Sequence, residues 1–271
     1  ILKDLGLLNG KLITTFHGYG INKRPKLKPA HYYDFLIKQS YLFTSNSNFT
    51  KSNAVTIGFP EDRIHIIRVS LQVNLYEFRA RGFEKDKCFN ILTVAALRNV
   101  KGIQYTIKAI KIIIETNPNI KILYQIIGEG YLKATLEKII KENELDNYVK
   151  LVGFVTHTEL KKCYYDAHVF VLSSTITKTG NQEAQGLVFQ EAQACGLPVI
   201  GSNTGGIPEG MLDGQSGFIV PDKDPKTIAE KIMYFYNQPE KIAEFGRVGR
   251  SFVISNFNIE VETQKLLALH K

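Results

Sequence analysis

From Leu12 to Val220 the chain alternates short apolar runs with segments of helical period, an order that few folds accommodate. Strands that alternate with helices build βαβ units, and these close into a parallel sheet. Strands are expected at 12–16, 41–44 and 64–69, then at 90–95, 120–127, 149–154, 168–172, 198–200 and 217–220. Helices are expected at 31–39, from Ser47 to near Gly58, at 103–115, 131–142 and 158–165, and near Pro208. Asp224 before Pro225 reads as an N-cap followed by proline at the first helical position, and a last helix covers 239–255. The polar, glycine-containing stretch 79–87 places a boundary between about 70 and 89. The expected class is α/β with two Rossmann-like domains of parallel sheet. The first comprises 1–73, the second 74–254, and a C-terminal helix in 255–271 packs back toward the first.

Composition narrows the function classes only a little. The 271 residues are 44% hydrophobic and 22% charged, which supplies a globular core. No apolar run approaches the ~20 residues of a membrane-spanning helix. Three scattered cysteines, Cys88, Cys163 and Cys195, make no Cys-x-x-Cys pair and suit reduced thiols in a cytoplasmic protein. In that compartment the glycosylation sequon Asn48-Phe49-Thr50 carries no meaning. The formal charge of +8 suits an anionic substrate such as a nucleotide sugar or an acidic membrane face, and equally a lysine-rich solvated surface. The chain opens Ile1-Leu2-Lys3-Asp4, without an initiator Met or a visible signal peptide. It is therefore expected to start within something larger or to have been cut.

Chemistry concentrates in 183–200. Glu183-Ala-Gln-Gly-Leu-Val-Phe-Gln-Glu191 continues as Ala-Gln-Ala-Cys-Gly-Leu-Pro-Val-Ile, a short helix breaking at Gly196 into a buried strand. Gly186 before Leu187 and Val188 marks a helix start, where unpaired backbone N–H groups and the helix dipole attract an anion. Glu191 lies one turn in, on the face of Leu187, and Glu183 stays in the preceding loop. A bare pair of glutamates recurs by chance in many enzymes, so its surroundings decide. These include Gly205-Gly206-Ile207-Pro208-Glu209 and the run from Asp213-Gly214-Gln215-Ser216-Gly217 to Pro221. Together the segments closely resemble the group 1 (family four) retaining glycosyltransferases of GT-B fold, and the match covers nearly the whole chain.

That resemblance implies a GT-B arrangement whose N-terminal domain lacks its opening strands, including a Gly-rich acceptor-side loop. It also implies a role for each matching residue. His17, at a strand end before Gly18, faces the donor sugar. Lys101, in Lys101-Gly102, contacts the donor diphosphate, and Glu183 lies beside the donor sugar. The N–H groups around Gly186, Leu187 and Val188 hold phosphate or sugar oxygens, while Glu191 accepts hydrogen bonds from the ribose hydroxyls. Carboxylates suit vicinal hydroxyls because each accepts several strong bonds. Contacts to the base are backbone, near Phe154-Val155 and Ile127-Gly128.

Two positions depart from the family pattern. Ala96 stands where arginine is usual, with Arg98 two positions on as the alternative cation for the diphosphate. Ser70-Leu71-Gln72 replaces the usual Gly-Ile-Asp near the interdomain linker. The expected activity is retaining transfer of a hexose from a nucleotide diphosphate sugar to a glycan or lipid-linked acceptor. No metal and no cofactor take part, no nucleic acid is a partner, and contact with the membrane is peripheral, at the inner face. The departures motivate an alternative, a nucleotide-sugar-binding module with weak or no turnover. Asp222-Lys223-Asp224 has the spacing of a manganese motif, but Asp224-Pro225 is better explained as a helix cap. A dehydrogenase would need a third glycine after Gly128-Glu129-Gly130, and none is present. The basic loop Lys23-Arg24-Pro25-Lys26-Leu27-Lys28 is either an acceptor contact or plain exposed surface.

Overall fold

In the computed structural model, residues 10–23, 28–29 and 31–269 are described. Of the basic loop, Arg24 to Leu27 therefore lie outside the described residues. The first unit alternates β1 (Ile13–Phe16), α1 (Tyr19–Asn22), α2 (Asp34–Gln39), β2 (Leu42–Ser45), α3 (Asn48–Thr56) and β3 (Ile64–Ile66). Its three strands pair in parallel in the order β1-β2-β3. Phe16, Phe43 and Phe59 pack together at ring distances of 4.9–5.5 Å as its core.

The second unit begins with β4 (Phe89–Val94), α4 (Ile103–Thr116), β5 (Ile122–Ile127), α5 (Lys133–Glu142) and β6 (Val149–Gly153). It continues with α6 (His157–Asp166), β7 (Val169–Leu172), α7 (Leu187–Ala194), β8 (Val199–Ser202) and β9 (Gly217–Val220), and ends with α8 (Pro225–Asn237), α9 (Pro239–Asn256) and α10 (Ile259–Ala268). All six strands run parallel in the order β6-β5-β4-β7-β8-β9. Every residue of β7 and β8 is buried, as a doubly covered parallel sheet requires. The strand order reverses between β4 and β7, so the loops that leave these two strands part and open a crevice at their carboxyl ends.

The boundary predicted as a polar stretch is anchored instead. Tyr76, Arg81 and Phe83 are all buried, and Phe83 packs edge to face against the core ring of Phe89. The Arg81 guanidinium donates to the carbonyls of Arg79, Tyr164 and Cys195, the last two at the C-terminal ends of α6 and α7. A cation suits a helix C-terminus, and the carbonyls replace the carboxylate that a buried arginine would otherwise need. Arg250 does the same from α9, donating to Val73, Tyr76 and Ala194 carbonyls. The helix near Pro208 is a 3-10 turn, Ile207–Gly210, and the strand expected at 64–69 ends at Ile66.

His168 sits in this core, its ring stacked on Phe89 and its Nδ1 accepting from the Asn90 N–H at 2.9 Å. Burial, and then the Arg81 charge, push its pKa down to about 4. The unfolded chain therefore binds a proton between roughly pH 6.5 and 4 that the folded chain refuses. Stability is expected to be complete above that window and to fall by on the order of 3 kcal/mol across it as pH drops. Urea titrations at pH 7.5 and 4.5 check this, with His168→Gln expected to remove most of the difference.

Candidate active site

Three glycines shape the crevice because backbone passes too close for a side chain. Gly102 has φ +60°, and a Cβ there would lie 1.9 Å from the Ser173 carbonyl oxygen. This brings the loop after β4 against the end of β7 and starts α4 next to Lys101. Gly205, at φ +56°, would place a Cβ 1.9 Å from the Glu183 carbonyl oxygen, and Gly206 one 2.0 Å from that of Ala184. The Gly206 N–H donates to that Glu183 carbonyl at 3.0 Å, and the Gly205 N–H to the Gln182 side chain at 3.0 Å. The loop carrying Glu183 is thus pinned by its backbone, which leaves its carboxylate to the crevice.

Lys101 and Glu183 meet as an ion pair, each side chain 19% exposed. Gly186, at φ +79°, caps α7 just beyond, so the N–H groups of Leu187 and Val188 open that helix within five residues of Glu183. The first unit reaches the same place. Gly18 lies so close to Ala184 that a Cβ on it would be 2.7 Å from the Ala184 Cβ, and His17 precedes it, exposed. Lys101 and Glu183 therefore meet just before α7, and the backbone next to His17 packs against Ala184.

Glu191 has a different set of neighbours. One carboxylate oxygen accepts from the Tyr76 hydroxyl at 3.2 Å and the other from the Tyr164 hydroxyl at 2.7 Å. Both tyrosines have their pKa raised, by burial first and then by the charge of Glu191. A carboxylate offers about four lone-pair sites, so two acceptor sites remain. Tyr76 comes from the linker and touches His157, at the start of α6, ring edge to ring face. Neither tyrosine is legible as a partner of Glu191 in the sequence, because the folded linker brings Tyr76, and the packing of α6 brings Tyr164, to α7.

Arg98 is exposed and lines a cleft of about 910 Å³, together with Asn99, Val100, Thr175 and, from the first unit, Tyr19 and Lys23. Ala96 is exposed on the same loop. Phe154, after β6, is 82% exposed. Gly128 and Gly130 serve packing, since a Cβ on either would fall within 2.4 Å of the Ala95 or Leu97 carbonyl oxygen. Asp224 caps α8, accepting from the Lys226 and Thr227 N–H groups and from the Thr227 hydroxyl. Among the described residues, no group of three His, Cys, Asp or Glu is placed to hold a metal ion.

Two further sets of hydrogen bonds join the units. Glu209 accepts from the Asn48 N–H, the Asn48 side-chain amide and the Phe49 N–H, each at 2.8 Å, and so caps α3 from the opposite unit. Gln185 exchanges two hydrogen bonds with the backbone of Val69, at 3.0 and 2.6 Å.

Two units of parallel α/β sheet facing each other across such a crevice define the GT-B type of fold, and solved structures agree. The glycosyltransferase from Rickettsia africae superposes with a TM-score of 0.81 at 20% identity, covering 98% of this chain and 72% of that one. Anabaena Alr3699/HepE in complex with UDP and glucose gives 0.79 at 18% identity, over 96% and 71%.

Residues 76–252 match the profile of the glycosyl transferases group 1, and the chain belongs to that family. It is 30% identical to the amylovoran biosynthesis glycosyltransferase AmsK of Erwinia amylovora, over 98% of this chain and 65% of that protein. The putative colanic acid biosynthesis glycosyltransferase WcaL of Escherichia coli is 29% identical over 99% and 66%. The chain thus spans about two thirds of the length of these relatives. No helix among the described residues is long and apolar enough to cross a membrane.

Proposed function

We propose that the chain carries the donor site of a retaining, metal-independent hexosyltransferase, which moves a sugar from a nucleotide diphosphate donor to a glycan or lipid-linked acceptor. The observation that carries this is the ion pair of Lys101 and Glu183 at the start of α7, with the His17 loop against Ala184. Lys101 and the N–H groups of Leu187 and Val188 supply positive potential where charge grows on the departing diphosphate. Glu183 and His17 flank the sugar, and Glu191, oriented by Tyr76 and Tyr164, takes the ribose hydroxyls. The acceptor attacks from the face the diphosphate leaves, and a leaving-group oxygen takes the acceptor proton. The net charge of +8 favours work at an anionic membrane face on the cytoplasmic side. UDP and glucose in the Anabaena relative's complex make UDP-glucose the first donor to try.

Incubation with UDP- and GDP-sugars is expected to release the nucleoside diphosphate, and proton NMR of the transferred sugar to show the donor's anomeric configuration retained. An inverted product contradicts the proposed mechanism. The exposed Ala96 favours a second reading, a binding module with weak turnover. In that case Ala96→Arg raises diphosphate release by roughly tenfold or more, the worth of one charge-assisted contact. An unmodified chain that already turns over as fast as Ala96→Arg removes the second reading.

A further inference from the structure

The 910 Å³ cleft is lined by Asn99 and Val100, just before Lys101 in the chain, and its wall has a one-sided charge. It is lined by Lys23, Arg98, Lys178 and Lys223 and by no carboxylate. Arg98 and Lys178 have no ion-pair partner among the described residues. Lys23 lies over the Tyr19 ring, 5.6 Å from its centroid, and Lys223 is 3.6 Å from Asp222. Asp222 itself turns an oxygen to the Ile176 N–H, at 3.4 Å, and is not part of the wall. Lys23, Arg98 and Lys178, none of them ion-paired among the described residues, leave the cleft with an excess of positive charge that an anion held among them offsets, and Lys223 shares its charge with Asp222.

Two further features point to a sugar rather than a bare ion. Tyr19 and Tyr131, 60% and 67% exposed, line the same cleft and offer flat faces for the C–H face of a pyranose ring. Thr175 Oγ1 and Gln104 Oε1, on wall residues, have no hydrogen-bond partner. Buried polar groups are ordinarily satisfied, and orphans at a wall are those a ligand's hydroxyls would satisfy after a small rotation. Lys223 has φ +60°, a conformation that costs a lysine about 1 kcal/mol and that clusters at ligand-binding positions.

Resting on the glycosyl-transfer reading above, we propose that this cleft is an acceptor subsite for an acidic sugar, whose carboxylate or phosphate is held by Lys178, Lys223, Arg98 and Lys23. The pyranose ring stacks on Tyr19 and Tyr131. The diphosphate of the donor stays on Lys101, and the acidic group of the acceptor is read separately, so acceptor choice and donor choice are set by different cations.

The test titrates the UDP-saturated protein calorimetrically with p-nitrophenyl glucuronide, with its methyl ester and with p-nitrophenyl glucoside 6-phosphate. The two charged compounds are expected to bind about tenfold or more tightly than the ester, in line with one or two charge-assisted contacts. Whichever of the two binds more tightly identifies carboxylate or phosphate as the recognised group. In the double variant Lys178→Ala, Lys223→Ala that advantage is expected to fall to about threefold or less. UDP affinity, measured in the same samples, separates the two sites. Equal binding of acid and ester, or an undiminished advantage in the variant, overturns the subsite. So does a parallel loss of UDP affinity, which would assign these lysines to the donor. Absence of UDP binding in the unmodified chain overturns the donor reading itself.

Discussion

Replacing Lys101 with alanine is expected to lower turnover by roughly 10²–10³-fold, the usual cost of removing one preorganised stabiliser of transition-state charge. Glu183→Gln, which keeps the shape and removes the charge, is expected to fall in the same range. The reason lies in the position of the pair. Both side chains are largely sheltered yet reach the crevice, so their mutual attraction is less screened than a surface pair's and still available to a ligand. Each backbone segment is fixed without the side chain's help, Lys101 by the close approach of Gly102 to Ser173 and Glu183 by Gly205 and Gly206. The melting temperature should accordingly move by only a few degrees, a stability change of about 1 kcal/mol. Initial rates of diphosphate release, set beside thermal melts, distinguish the outcomes. A variant that keeps the unmodified rate, or that loses activity only because it unfolds, contradicts the role.

Gly205→Ala should act on both stability and rate through backbone alone. A methyl group there must lie 1.9 Å from the Glu183 carbonyl oxygen unless one of the two segments moves. The segment must also hold alanine at φ +56°, a further cost of about 1 kcal/mol. Destabilisation on the order of 2–4 kcal/mol is expected, together with a loss of turnover as Glu183 is pushed from Lys101. Gly214→Ala is the matched control. Its φ is +70°, but nothing lies within 4 Å of the added carbon, so it should cost only the conformational term and leave the rate unchanged. Urea denaturation and initial rates on both variants decide. Equal destabilisation by the two would mean that the close approach at Gly205 carries no weight.

The parts of this fold that were legible in the sequence depend on local rules. Proline at the first position of α8 with Asp224 as its cap needs only the neighbouring amides, and the structure has that cap. The buried run of β7 announces itself because a doubly covered sheet permits no polar alternation. Lys101, Glu183 and His17 are named by a family pattern, and the fold pairs the first two just before α7. Other features were hidden because their partners lie far along the chain. The polar stretch 79–87 marked a boundary, yet Arg81 is buried there, by carbonyls that only the ends of α6 and α7 can present. Glu191 was read from its helix face and the family pattern, neither of which shows that Tyr76 and Tyr164 determine where its carboxylate lies. Glu209 gave no sign that it caps α3 across the two units, since a cap ordinarily comes from the residue just before its helix.

The most direct test of the donor site is calorimetric titration of the unmodified chain and of Lys101→Ala with UDP, with uridine as the control. The geometry at the start of α7 predicts saturable one-to-one binding of UDP, no measurable binding of uridine, and about tenfold or greater weakening in the variant. A folded chain that ignores UDP, or that binds it equally well without Lys101, contradicts the assignment of that helix start to a nucleotide diphosphate.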